Sequence, residues 1–498
     1  MKKRNGIRAL ALAGLLICLT GCGAAAEPTQ PPTEDPALLV TEFALVANDG
    51  AELAQLDQYP NLAEVDLRGS ICHDAVLAYV EDHPEIRVRY EVPIGDTLYK
   101  EDTAELALEE GFYDYDQLME NLAFLPDLAS MSLPRTGLTG EELAELQAAY
   151  PDIAVDYTVM VLDQEVSGAT EELDLSWLQP EQVSDAVGAL SRLGSLRDVQ
   201  LMNGEGKSAL AMTDVKTLMQ ALPEATVHYT FELFGKTIST TDERVEYVGT
   251  KIHNSGVEQV RQALDILPNC TYFLMDSCNV TNDVMAQLRD DYPDTKIVWR
   301  VRYSKDYSDL TDTEVIRCVG QLDDSNSVNL KYFTDVVYLD IGHSYTLSDL
   351  SFISCMPKLK VAIVVDCYAN TLEHFANCKE LQYLEIVNCN RMTDLSPLAN
   401  CTQLRGLNMS YTFSINDLSP LYGLEHMERL FLGRNDFTEE EVAEAREALP
   451  NCWVTDKSES VAWVGFNYSV GWRLDDEHTF AQWYKEIKEI FGYTREIY

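Results

Sequence analysis

A short apolar signature returns through the second half of the chain at intervals of 23, 22, 23 and 23 residues, starting at Val336, Leu359, Leu381, Leu404 and Met427. Each copy places apolar residues at its first, fourth and sixth positions: Val336/Leu339/Ile341, Leu359/Ala362/Val364, Leu381/Leu384/Ile386, Leu404/Leu407/Met409 and Met427/Leu430/Leu432. The ninth position holds Ser344, Cys367, Cys389, Thr412 and Asn435. A unit this short cannot bury its own apolar edge, so successive units must stack and share one core. The spacing predicts a short strand, then an inward bend whose backbone is satisfied by the small polar or thiol side chain at position nine.

The signature resembles L-x-x-L-x-L-x-x-N/C, the pattern of leucine-rich-repeat proteins. The resemblance is closest over residues 330–455 and looser over 50–320. It implies an α/β fold: a horseshoe solenoid with parallel strands on the concave face, helices or turns outside, and a cap at the C-terminus. Asp394-Leu-Ser-Pro-Leu and Asp417-Leu-Ser-Pro-Leu look like the thin internalin style of repeat.

Upstream, the periodicity lengthens. Nonapeptides beginning at Pro84, Pro151, Pro223 and Pro293 share proline, an acid and alternating apolar residues. Each has an aromatic at the seventh place: Tyr90, Tyr157, Tyr229 and Trp299. Their spacings are 67, 72 and 70 residues. A helix-like stretch precedes each, as in Glu141–Tyr150, where Thr139 and Glu142 fit a capping box. Before it comes a leucine-repeat strand: Leu62/Val65/Leu67, Leu128/Met131/Leu133, Leu196/Val199/Leu201 or Cys270/Phe273/Met275. The front half therefore reads as four super-repeats of three strand-bearing units, with the second strand extended into a hairpin. A short third strand follows, as in Leu106/Leu108 and Leu173/Leu175. Helix-length connections make this half resemble the ribonuclease-inhibitor style of repeat.

The start of the chain is an address rather than a fold. Lys2, Lys3, Arg4 and Arg8 introduce an apolar run from Ala9 to Gly21, the composition of a secretory leader. Leu19-Thr20-Gly21-Cys22 resembles a bacterial lipobox, which implies cleavage before Cys22 and acylation of its thiol. Pro28, Pro31, Pro32 and Pro36 then mark an extended tether. The expected organisation is a leader over 1–21, the lipidated cysteine and tether over 22–38, irregular super-repeats over 39–325, regular repeats over 326–455 and an aromatic cap over 456–498. The expected location is outside the cytoplasm, on a bacterial membrane. A formal net charge of −45 argues against nucleic acid as a partner and against anionic lipid headgroups beyond the anchor.

The ladder cysteines, Cys278 among them, sit where a buried thiol serves as a small apolar group and weak donor. There is no C-x-x-C pair, and no metal or other cofactor is expected. Gly235-Lys236-Thr237 lacks the upstream glycine of a phosphate loop, since Thr230 stands there. Asp475-Asp476-Glu477-His478 reads as an acidic helix start. Asp323-Asp324-Ser325-Asn326-Ser327 lacks the central glycine and final glutamate of a calcium loop. Ser344, next to His343, fits a backbone-bonding role better than a nucleophile. No enzyme is expected. Trp453, Trp463, Trp472 and Trp483 make the end of the chain aromatic, consistent with a cap over a bare repeat edge or a platform for sugars. Phe480, Trp483, Tyr484, Ile487 and Ile490 fall on one side of a helix-like stretch.

What the repeats offer is a surface. By strand alternation, positions three, five, seven and eight face the concave side. Expected binding residues there are Tyr338, Asp340, Asp366, Tyr383, Glu385, Asn408, Tyr411, Arg429, Phe431 and Arg434, beside His343, Val361, Ile363, Val365, Val387 and Asn388. Tyrosine and arginine are favoured at binding hot spots. The expected function is recognition of a protein or glycan by a membrane-anchored repeat domain. The alternative is a structural, self-associating envelope component without a dedicated ligand.

Overall fold

The computed structural model describes residues 35–455 together with Ile487, Glu489, Ile490 and Phe491. The chain forms two compact units that part within the hairpin Ala154–Val161/Gln164–Ser167.

In the first unit, Glu42–Ala44, Glu64–Asp66 and Arg87–Arg89 pair in parallel, and the hairpin Glu91–Ile94/Thr97–Lys100 follows. Glu105–Ala107 opens the next parallel sheet with Ser130–Pro134 and the long strand Ala154–Val161. The second unit repeats the plan. Glu172–Asp174, Asp198–Gln200 and Thr226–His228 form a parallel sheet ahead of the hairpin Thr230–Leu233/Lys236–Ser239. Then Arg244–Val248, Tyr272–Asp276 and Lys296–Arg302 pair in parallel, with Ser308–Leu310 turning back antiparallel.

The extended strand with its hairpin forms as the alternation predicts, but the short strand groups differently. It opens the following sheet instead of closing the preceding one. The reason is the hairpin itself: it reverses the chain after the extended strand, so the parallel ladder stops there and restarts one strand later. Helices fill the connections, among them His73–Asp82, Gly140–Ala149, Met212–Ala221 and Asn282–Asp291. Thr139 and Glu142 close a reciprocal cap on Gly140–Ala149, with Thr139 N donating to Glu142 Oε2 at 2.6 Å and Glu142 N to Thr139 Oγ1 at 3.2 Å. The seventh-place aromatics are all buried. Their polar ends are satisfied locally: Tyr90 Oη donates to the Phe124 carbonyl at 2.9 Å, Tyr229 Oη to that of Leu210 at 2.8 Å, and Trp299 Nε1 to Asn282 Oδ1 at 3.1 Å.

The regular repeats build one parallel sheet of seven strands: Val315–Arg317, Tyr338–Asp340, Val361–Ile363, Tyr383–Glu385, Gly406–Asn408, Arg429–Phe431 and Trp453–Thr455. The register is repeat-exact, pairing Leu339 with Ala362, Ala362 with Leu384, Leu384 with Leu407 and Leu407 with Leu430. The connections here are short 3₁₀ turns such as Ser351–Cys355, Glu373–Asn377 and Ser396–Asn400. This is a leucine-rich-repeat solenoid of mixed α/β type.

Two features close each turn of the regular sheet. The eighth residue of each copy takes a left-handed backbone: His343 (φ 60°), Asp366 (57°), Asn388 (58°), Tyr411 (59°) and Arg434 (66°). The ninth side chain then points inward and is buried. It donates to a carbonyl of the preceding repeat: Thr412 Oγ1 to Ile386 O at 2.7 Å, Asn435 Nδ2 to Met409 O at 3.0 Å, Cys389 Sγ to Val364 O at 2.9 Å, and more weakly Cys367 Sγ to Ile341 O at 3.7 Å. Cys278 does the same upstream, reaching the Tyr247 carbonyl at 3.6 Å. Ser344 is buried too, but its Oγ finds no hydrogen-bond partner among the described residues. Cys378 and Cys401 form a second thiol row, with Cys401 Sγ 3.3 Å from the Phe375 carbonyl. Burial pushes the thiols of Cys378 and Cys389 up to about 12, which keeps them protonated donors.

Asn435 is the most heavily used ladder residue, because its Oδ1 also accepts from Thr412 N at 2.9 Å. Asn435→Ala leaves a buried amide and a buried carbonyl unpaired. It is expected to cost about 2–4 kcal/mol in the denaturant-unfolding free energy of the second unit. A loss below about 0.5 kcal/mol would show that the ladder carries little of the fold.

Candidate functional site

The strand face is where the sequence places a binding arc, and alternation does bring those side chains to one side. They are not open to solvent. Tyr383, Glu385 and Asn408 are 0% exposed, Arg429 1%, and Asp340 and Phe431 2%. Val361, Ile363, Val365, Tyr383, Val387 and Phe431 form one apolar cluster with Ile487 and Phe491, and Val315 and Tyr338 pack against it. The Tyr338 and Phe491 rings meet edge to face with centroids 6.3 Å apart. The expectation of an exposed arc is therefore corrected at Asp340, Tyr383, Glu385, Asn408, Arg429 and Phe431. The face is right, but residues from the end of the chain lie on it. The sequence carried a signal for this: residues 361–365 read Val-Ala-Ile-Val-Val, and a strand apolar on both faces is a strand covered on both faces.

The polar members of this face are engaged. Tyr383 Oη donates to Glu385 on the same strand. The Arg429 guanidinium lies over the Trp453 ring, 3.4 Å from its centroid. Asn408 Oδ1 accepts from Ser410 Oγ at 2.9 Å, and Asp340 Oδ1 from Gly342 N at 3.1 Å. The rest of the aromatic cap over 456–498 lies outside the described residues.

Beyond the strands the chain bends into a rim with solvent-exposed side chains. The left-handed eighth residues lead into it, Asp366, Tyr411 and Arg434 among them. His343 Nδ1 and Asp366 Oδ2 are 2.6 Å apart, Asn388 Nδ2 donates to Asp366 Oδ1 at 2.6 Å, and Asn390 Nδ2 donates to Asn388 Oδ1 at 2.8 Å. Asn390 Oδ1 in turn accepts from Phe413 N at 2.8 Å, which carries the polar chain to the next repeat. Three of the five positions after a ladder residue, which the sequence reading passed over, hold rings: Tyr345 is 67% exposed, Tyr368 53% and Phe413 49%. Arg391 stacks on Tyr368 at 4.1 Å, and Tyr411 meets Phe413 edge to face at 6.2 Å. Their shared place in the repeat was the available signal. In a parallel sheet neighbouring repeats stand about 5 Å apart, so Tyr345 and Tyr368 are on adjacent repeats, and Phe413 is two repeats from Tyr368.

A second concavity, of about 620 Å³, opens at the other ends of the strands, among Thr271, Asp294, Lys296, Asp312, Asp335 and Lys358. Both of its lysines are paired with one carboxylate: Asp335 is 2.6 Å from Lys358 Nζ and 2.9 Å from Lys296 Nζ. Among the described residues, no three His, Cys, Asp or Glu side chains converge as a metal site. No helix among them is long and apolar enough to cross a membrane.

Solved structures similar to this chain are repeat proteins of bacteria. Internalin C2 of Listeria monocytogenes is 17% identical, over 56% of this chain and 91% of that one, with a TM-score of 0.26. A second internalin of L. monocytogenes, InlF, is 13% identical over 81% and 78%, with a TM-score of 0.23. A leucine-rich-repeat protein of Leptospira interrogans is 12% identical over 80% and 91%, with a TM-score of 0.24. No family model and no curated protein matches the chain.

The Asp366 carboxylate raises the His343 pKa above 6.5 by hydrogen bonding, against an opposing effect of burial. His343 in turn holds Asp366 below the usual carboxylate range. A raised histidine pKa stabilises the fold fully below about 6.5 and loses that contribution as pH climbs through the folded value. Asp366→Asn is therefore expected to bring the His343 titration, followed by proton NMR, down to 6.5 or lower. It should also destabilise the protein more at pH 5.5 than at pH 8. An unchanged titration would mean that the pair does not form in solution.

Proposed function

We propose that this chain is a non-enzymatic recognition protein, held outside the bacterial cytoplasm by acylated Cys22 and presenting its repeats on the proline-rich tether. The ligand is a protein or a glycan, and the contact surface is the rim. One observation carries the reading: Tyr345, Tyr368 and Phe413 stand exposed at the same repeat position beside the hydrogen-bonded row His343–Asp366–Asn388–Asn390. Flat rings next to fixed polar groups suit either ligand class, since rings stack on apolar faces while the amides and carboxylate set orientation. The row rests on a parallel sheet, so little ordering is left to be lost on binding.

Backbone conformation supports the choice of rim. The equivalent eighth positions upstream include Gly69 (φ 81°), Gly249 (68°) and Gly320 (73°), but also Arg135 (47°) and Ser277 (57°). Glycine enters this conformation freely, whereas a side chain there costs about 1 kcal/mol or more. The regular repeats carry a side chain at all five such positions: His343, Asp366, Asn388, Tyr411 and Arg434. Asparagine and aspartate tolerate the conformation, but tyrosine and arginine do not do so readily. Side chains retained at such a cost point to use of the side chains.

The test is binding of full-length protein to a glycan array and to envelope and host-surface protein fractions, beside a Tyr345→Ala/Tyr368→Ala/Phe413→Ala variant. At about 1 kcal/mol or more per hot-spot ring, the variant should lose at least tenfold in affinity while its unfolding midpoint stays near the parent's. Binding retained at full strength would remove the rim from consideration. Self-association with no other ligand would favour the structural alternative. Independently, Cys22→Ala should move the protein from the membrane fraction to the soluble fraction and abolish incorporation of labelled fatty acid. Continued membrane partition would rule out the lipid anchor.

A further inference from the structure

The strand face of the regular repeats is apolar, lined on one side by Val361, Ile363, Val365, Val387 and Phe431, and carries buried polar groups that a bare face would leave to water. Ile487 and Phe491 sit on it, 1% and 5% exposed, while Ile490 beside them is 37% exposed. Residues 487 and 491 are one helical turn apart, so both reach the same side, and Phe491 N donates to the Ile487 carbonyl at 3.1 Å. The last strand of the sheet, Trp453–Thr455, lies at its far edge, yet Phe491 meets Tyr338 on the second strand. About five strand spacings, roughly 24 Å, separate that last strand from the second, which is less than a chain of 31 residues, the length of 456–486, can span. That stretch includes Trp463, Phe466, Trp472, Phe480 and Trp483. Asn408 Nδ2, fully buried on the same face, has no hydrogen-bond partner among the described residues and is a donor available to whatever lies above it.

We propose that this strand face is a docking groove for an aromatic amphipathic segment, and that its occupant is the chain's own C-terminal segment, residues 456–498, anchored by Ile487 and Phe491. The groove is separable from the repeat core. The leucine ladder behind the strands is complete without the segment, because Leu339, Leu384, Leu407 and Leu430 are buried on the opposite side of the same strands. The chain thus holds two surfaces: a rim open to solvent and a face closed by its own end. The second does not depend on the rim having a ligand.

Hydroxyl-radical footprinting of the full-length protein tests this at Tyr383 and Phe431. Both should be protected in the parent and in Ile490→Asp. In Ile487→Asp/Phe491→Asp, modification of both should rise about tenfold while the far-UV spectrum of the repeats is kept. A synthetic peptide of residues 476–498 added to the double variant should restore protection, and the same peptide carrying both aspartates should not. The proposal is overturned by labelling of the face in the parent, by unchanged protection in the double variant, or by failure of the unmodified peptide to protect. Loss of the variant's secondary structure would also overturn it, by making the segment part of the core. Protection that fades on dilution would assign the occupant to a second copy instead.

Discussion

Every turn of the regular repeats depends on how the chain leaves its strand. A left-handed residue at position eight swings the next side chain inward, and that side chain donates to a carbonyl of the repeat before it. Each strand is only three residues long, so ladder hydrogen bonds between strands are few and the bend must be fixed by something else. A buried donor at position nine does this without adding volume that the next repeat would have to accommodate. Threonine, asparagine and cysteine all meet the need, which explains why thiols recur in the register of a hydrogen-bond donor. Their protonated state follows from the same burial. Serine at position 344 is the exception: it is buried, but its Oγ has no hydrogen-bond partner among the described residues.

The bend has a consequence for the surface. Once position nine points in, positions eight and ten must point out and away from the strand face. Successive repeats superpose these positions one strand spacing apart: position eight carries His343, Asp366 and Asn388, and position ten Tyr345, Tyr368, Asn390 and Phe413. The hydrogen bonds along position eight hold its members in place before any ligand arrives. The rim surface and the stability of the bend are thus set by neighbouring residues, and the left-handed backbone at position eight is the link between them.

Much of the fold was legible because period and alternation are local properties. The 22–23-residue interval located the strands, the prolines marked the extended strands, and Thr139 with Glu142 marked a helix start. The grouping of the short strands was not legible, since it depends on where a hairpin interrupts a ladder. The site was legible only in part. Alternation placed Tyr383, Glu385 and Arg429 on one face, but it says nothing of what covers that face. Cover by Ile487 and Phe491 is a contact between residues about a hundred apart, which no window of the sequence displays. The run Val361–Val365 did hold the clue, because alternation with a wet face requires a polar residue at every second place.

Burial of that face also separates two kinds of tyrosine in one repeat frame. Tyr383 lies on the strand, donates a hydrogen bond to Glu385 and is fully enclosed, so its ring contributes packing. Tyr368, in the preceding repeat, lies beyond the bend with one ring face against Arg391 and about half its surface in water. Identical side chains therefore take a structural or an interactive role according to whether they fall before or after the left-handed residue. Composition cannot make that distinction, but register can: counting from the first leucine of each copy, an aromatic at position three belongs to the covered face and one at position ten to the rim. The acidity of the chain fits this division. Charge is spread over the exposed helices and turns, while the rim offers a paired carboxylate, amides, a guanidinium and rings, groups that orient a ligand without relying on its net charge.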